Sequence, residues 1–251
     1  MSIARFPVAV LGALLLSAAV AQADGPQSAA TATKAALELA SHTEELAKAG
    51  QRPDYSKPPA SEQLRRIFAT PALIALPEPE AGDVSWLVEW GDAANASSKI
   101  LLLFGAAPGV DRALAIERNL SENEDVIAAA WDFVLRLQSR TTRAISLFFK
   151  SLAPEQRTET RLKGLATFRE GYLQFVGGVL TTVTAGINAK NARLLTATLR
   201  DTASGWVLLS LHAERSHLLW IIAEARKSNK DAEVLANLSA IATAVEAEKG
   251  R

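Results

Sequence analysis

Glu214-Arg-Ser-His217 is the one stretch of this sequence that carries the residue types of acid–base or metal chemistry at a useful spacing. Residues three apart project from one face of a helix, so a carboxylate and an imidazole placed there can share a proton or an ion. The same Glu-x-x-His element supplies ligands in di-iron bundles, but such a centre needs two copies and two further Glu. This chain has the element once, with three His, one Met and no Cys, so neither a His-rich nor a soft-ligand metal site can be assembled, and no metal is expected. On a continuous helix, Ser210, Glu214, His217 and Glu224 fall within about 80° of one another. They are interleaved there with Trp206, Ala213, Trp220 and Ile221. Polar groups among indole rings must be hydrogen-bonded or they cost about 1–3 kcal/mol each. The set is therefore either a satisfied network between helices or a ligand-recognition site in a Trp-lined cleft. In a cleft, burial would raise the Glu pKa while the carboxylate favoured a charged His.

Arg136, Arg140 and Arg143 form a second set on one helix face, flanked by Asp132. Such a row is by default a solvated face; turned into a cleft, it would hold a carboxylate or phosphate through paired N–H donors. The sequence has no Gly-rich loop between a strand and a helix, no G-x-S-x-G elbow and no Cys nucleophile. Nucleotide, serine-hydrolase and thiol chemistry thus lack support, and neither a catalytic residue nor a cofactor is assigned. Lys plus Arg equals Asp plus Glu at 27 each, so there is no net field to gather nucleic acid, and none is expected as a partner.

The elements that must position these residues read as helices. Val84 to Phe104 has helical spacing before GAAPG breaks it, and Asp111 to Leu120 is a short helix. Ser121 and Glu124 form a capping box that opens a helix to Leu152, with Val126, Ala130, Phe133, Val134, Leu137, Ala144, Ile145 and Phe148 on its inner face. Pro154 and Glu155 start an antiparallel central helix after a very short turn. Gly164, Gly171 and Gly178 share one stripe of it, and Leu162, Leu165, Val176, Leu180, Val183 and Ile187 another, which predicts a buried helix with a neighbour pressed against the glycines. Its uncharged half, Gly171 to Ala189, contains Gln174, Asn188 and several Gly and Thr, too polar for a stable membrane span. A further pattern from Ala189 to about Lys227 bends at Ser204-Gly205, and Asp231 caps a last helix with Val234, Leu235, Leu238, Ile241, Ala242 and Val245 inward. No internal repeat of solenoid period is visible.

At the other end, Arg5, the apolar run Val8 to Val20 and Ala21-Gln22-Ala23 make up a signal peptide with cleavage after Ala23. Residues 1–23 are then removed and the chain is periplasmic, stabilised by packing because it has no disulfides. Residues 24–60 read as a flexible arm: an irregular start to Thr33, one short helix from Lys34 to Ala49 and the Pro-rich connector from Gln51 to Ala60. Residues 61–251 read as an all-α helical bundle of about five or six helices from Val84 onward. Export and helical architecture without a catalytic constellation predict a binding or interaction protein with an unknown protein or small-molecule partner in the cell envelope. The alternative is an all-α envelope enzyme acting on a small anionic or cell-wall-derived substrate, with Glu214 and His217 in acid–base roles and an Arg of the row on the anion.

Overall fold

The computed structural model describes residues 29–51, 54–55, 57–68, 70–80 and 122–247, and every regular element among them is helical. The all-α class follows from the 3.6-residue periodicity of the apolar positions. The signal peptide, the Val84 to Phe104 and Asp111 to Leu120 helices, the GAAPG break and the Ser121 cap lie outside the described residues. Two compact units divide the rest. The first takes the described residues up to Leu76 and those from 122 to Phe133; the second takes 77–80 and everything from Val134 onward.

In the first unit, α1 (Ala29–Lys48) packs along α2 (Ala60–Ile67), and α3 (Thr70–Ala75) follows. α1 starts earlier than Lys34 because its Ala-rich beginning is a contact surface: Ala32, Ala35, Ala36, Leu39 and Thr43 are buried, as are Leu64 and Ile67 of α2. Ala49, the expected last residue of this helix, is exposed and lies one residue beyond its end at Lys48. Gly50, at φ 68°, ends the helix in the left-handed region that glycine tolerates. α1, within the expected arm, and α2, which begins at its last residue Ala60, share one core. The ring of Phe68 lies 6.0 Å from that of Phe133 in the same unit.

Helix α4 (Glu124–Ser151) crosses the unit boundary, and its buried residues include Ala130, Phe133, Leu137, Ala144 and Ile145 as expected. In the second unit a 3-10 turn at Pro154–Gln156 follows, so Pro154 does not open the central helix. Thr158 caps α5 (Glu159–Ala185) instead, its hydroxyl accepting from the Arg161 N–H. α5 lies antiparallel to α4, with the Tyr172 hydroxyl donating to the Leu135 carbonyl at 3.3 Å and Arg161 over the Phe148 ring. Only one side of α5 is buried: Phe168, Tyr172, Leu173, Val176, Val179, Leu180 and Val183. Leu162 is exposed, and Gly164, Gly171 and Gly178 are half-buried, so burial over most of the circumference is not found.

Gly186, at φ 94°, closes α5, and Asn188 caps α6 (Ala189–Asp201). The predicted continuous helix onward is broken at Thr202 and again at Ser210–Leu211, giving α7 (Ala203–Leu209), α8 (His212–Ser228) and α9 (Ala232–Ala247). These breaks bring the described α-helices from Glu124 onward to six. Asp231 caps α9 as expected, accepting from the N–H groups of Glu233 and Val234. Val234, Leu238, Ile241 and Val245 point inward, together with Asn237, whose amide bonds Thr196 and Arg200 of α6.

The α5–α6 hairpin stacks on the α8–α9 hairpin. α5 runs parallel to α8, joined through Arg169 to Glu214, Gly177 to Ile221 and Val183 to Asn229; α6 runs parallel to α9 through Arg193 to Asp231 and Arg200 to Asn237. α7 crosses beside them and brings Gly205 against Ser139 of α4.

Both tyrosines of the chain are buried, Tyr55 in the first unit and Tyr172 in the second. Burial pushes the Tyr55 phenol up to about 12, the Thr43 hydroxyl opposing it. Burial also raises Tyr172, against contacts with Thr202 and Ser139. A folded chain that holds these protons longer than the unfolded chain has its full stability below the ordinary phenol pKa of about 10 and loses it as pH climbs through the folded values. The folded protein is therefore expected to show almost no tyrosinate absorbance at about pH 10.5, well below the midpoint of Tyr55, whereas protein in guanidinium titrates normally. A folded-state midpoint near 10 would contradict the burial of both rings.

Candidate functional site

The candidate residues of α8 depend on how that helix begins. At the break, Ser210 is buried in an extended conformation, and its hydroxyl donates to the Val207 carbonyl at 2.7 Å. Arg215 reaches back and donates from Nε and Nη2 to the Ser210 carbonyl, at 3.2 and 2.9 Å, and from Nε to Ser210 Oγ at 3.0 Å. A cation near a helix N-terminus is disfavoured by the dipole, and here it serves the C-terminal end of the preceding helix, where positive charge is favoured. Arg215 was not among the expected residues, and that unfavourable position was the only sequence signal for it.

Glu214 sits in the first turn of α8, its Oε2 accepting from the Leu211 N–H at 2.5 Å and its Oε1 3.5 Å from Nε of Arg169. It closes the N-terminus of its own helix and ties α8 to α5. To act as an acid or base it would have to leave both partners. His217 is exposed and lies nearly parallel to the Trp220 ring, with centroids 5.9 Å apart and planes 14° apart. Glu224, one turn beyond, accepts from Lys227 Nζ at 2.6 Å.

The two Trp residues expected to line a cleft with these groups stand in different environments. Trp206 is 0% exposed and donates from its indole N–H to the Leu199 carbonyl at 3.3 Å, while Trp220 is 60% exposed. The break at Ser210–Leu211 is the reason: it separates residues that an uninterrupted helix would align. Ser210 goes with the buried end of α7, Glu214 with the α5 interface, and His217 with the open face of α8. No family model, curated protein or solved structure matches this chain.

The Arg row lies on α4 and is engaged within the second unit. Arg136 donates to Thr198 Oγ1 at 3.3 Å and lies 3.8 Å from the Asp201 carboxylate, both on α6. Arg140 donates from Nη2 to the Pro77 carbonyl. Burial lowers its pKa, Glu78 opposes that shift, and the like charge of Arg143 adds to it. Arg143 pairs with Glu78 Oε2 at 2.7 Å. The row thus does hold a carboxylate, and the carboxylate comes from the same chain. Among the described residues, no group of three or more His, Asp or Glu could hold a metal ion, and no helix is long and apolar enough to cross a membrane.

Proposed function

We propose that this chain is an exported, periplasmic interaction protein that contacts a protein or small-molecule partner of the cell envelope through side chains displayed on its stacked helices. The observation that carries this reading is Trp220, 60% exposed and stacked against His217 on a helix whose inner polar groups are committed to holding the fold. An indole presents a large apolar face with only two rotatable bonds, and Trp is enriched among residues that dominate binding energy. Stacking on His217 restricts the ring before any partner arrives, which lowers the entropy lost on contact. Export is supported by the basic start at Arg5, the apolar run Val8 to Val20 and the small residues Ala21 and Ala23.

A photoreactive amino acid at position 220 is expected to form an adduct in intact cells, and the processed chain to read Asp24-Gly25-Pro26 at its N-terminus. Trp220→Ala should change the unfolding free energy by no more than surface substitutions do, about 0.5 kcal/mol, and weaken capture of the partner identified in that adduct by tenfold or more. No adduct at 220, with adducts formed at exposed control positions on α9, would remove Trp220 from the interface. An unprocessed N-terminus would refute export.

A further inference from the structure

We propose that Arg140 and Arg143 on α4 form a docking site for an extended, acidic, proline-containing peptide, and that Pro77–Glu80 is its occupant within the chain. The inference rests on the reading of this protein as an interaction protein and names one class of partner. Residues 77–80 have no regular secondary structure, yet they are held at three points. Arg140 binds the Pro77 carbonyl, Arg143 binds the Glu78 carboxylate and the Pro79 ring is buried. The chain path isolates this stretch: the described residues up to Leu76 and from 122 to Phe133 belong to the first unit, whereas 77–80 belongs to the second.

These contacts are the ones by which extended peptides are recognised in general. A main-chain carbonyl is read by a donor, a carboxylate by a guanidinium, and a Pro ring fills an apolar depression. Pro77 and Pro79 fix φ at both ends of Glu78, so the segment is extended before it docks and loses little entropy on docking. None of the contacts requires that peptide and site be joined covalently. A partner with the same Pro-Glu-Pro chemistry would compete with the internal segment, whose advantage is an effective concentration of roughly millimolar order set by its tether.

The test uses the full chain with Glu78→Lys and Pro79→Ser, which repel the segment from the Arg pair and remove the buried ring. A synthetic peptide carrying residues Leu76 to Glu80 is titrated while the amide chemical shifts of α4 are followed. The freed protein is expected to bind the peptide with a dissociation constant of about 0.1 mM, roughly tenfold more tightly than the wild type, whose site is filled by a tethered segment of about millimolar effective concentration. Arg143→Glu in the freed background should abolish the shifts, and a peptide with Lys in place of Glu78 should restore them. If the double variant does not fold, Glu78→Ala alone serves the same titration. Absence of shifts in a folded, freed protein, or shifts indifferent to Arg143→Glu, would overturn the proposal. An adduct at position 220 alongside a failed titration would remove this site alone and leave the interaction reading standing.

Discussion

Trp206→Ala is expected to remove about 3–5 kcal/mol of unfolding free energy from the second unit, the range measured for large buried aromatics. The side chain is 0% exposed, and its loss would leave a cavity where α7 meets its neighbours. It would also strip the Leu199 carbonyl of the indole donor that it meets at 3.3 Å, just before the break at Thr202. The Thr202 hydroxyl also reaches this carbonyl, at 3.5 Å, so the lost indole hydrogen bond adds about 0.5–1.5 kcal/mol. Trp206→Phe separates the two contributions, because it keeps most of the apolar volume and deletes the N–H. Urea unfolding of the full chain, followed by far-ultraviolet circular dichroism, measures both variants. A loss below about 1 kcal/mol for the Ala variant would mean that α7 can collapse into the space or does not pack there.

Gly205→Ala should cost about 1–3 kcal/mol although it adds a single methyl group. A Cβ at this position would stand 2.5 Å from Ser139 Oγ, 3.1 Å from Ser139 Cα and 3.2 Å from Ser139 Cβ. A rotamer change moves the first of these atoms and leaves the other two in place. Ser139→Ala is therefore expected to recover only part of the loss in the double variant, and Ser139→Gly more of it, less the roughly 0.5–1 kcal/mol that glycine costs inside α4. Gly177→Ala is the matched control, since its Cβ would meet only Ile221 Cδ1 at 3.7 Å, an ordinary contact. That substitution should be neutral or stabilising by up to about 1 kcal/mol. Equal effects at the two glycines would mean that α7 does not approach α4 as closely as described.

The two glycines show where sequence reasoning carries and where it stops. Apolar periodicity identified α4, α5 and α9 and the inward side of α9, because that signal is local and repeats every turn. A helical wheel also grouped Gly164, Gly171 and Gly178, but it says which residues share a face and not which helix faces them. A close approach stands at Gly205, which reads in the sequence as a bend. The site was lost for a related reason. Aligning Ser210 with His217 assumed an unbroken helix, and nothing apolar in the pattern marks the stop at Ser210. The local polar groups do mark it: Glu214 stands three residues after Leu211, as in half of a capping box, and Arg215 sits where a helix start disfavours it. The Arg row was legible as an anion holder from its spacing. Its occupant, Glu78, was not, since the pairing spans two distant segments and no periodicity links them.

The stacking of the two hairpins has a consequence for synthesis and survival. α5 with α6 and α8 with α9 are joined by short turns, but the two hairpins hold each other through pairs distant in sequence, α5 on α8 and α6 on α9, so the unit is complete only when both hairpins are made. The last hairpin is indispensable: a chain interrupted before Asp231 lacks Val234, Leu238, Ile241 and Val245 together, and Thr196 and Arg200 lose Asn237. Such a fragment exposes the side of α6 that α9 covers, and opened segments of this kind are what proteases cut. Completion of the C-terminal helix is thus the step that separates a durable molecule from one destined for degradation.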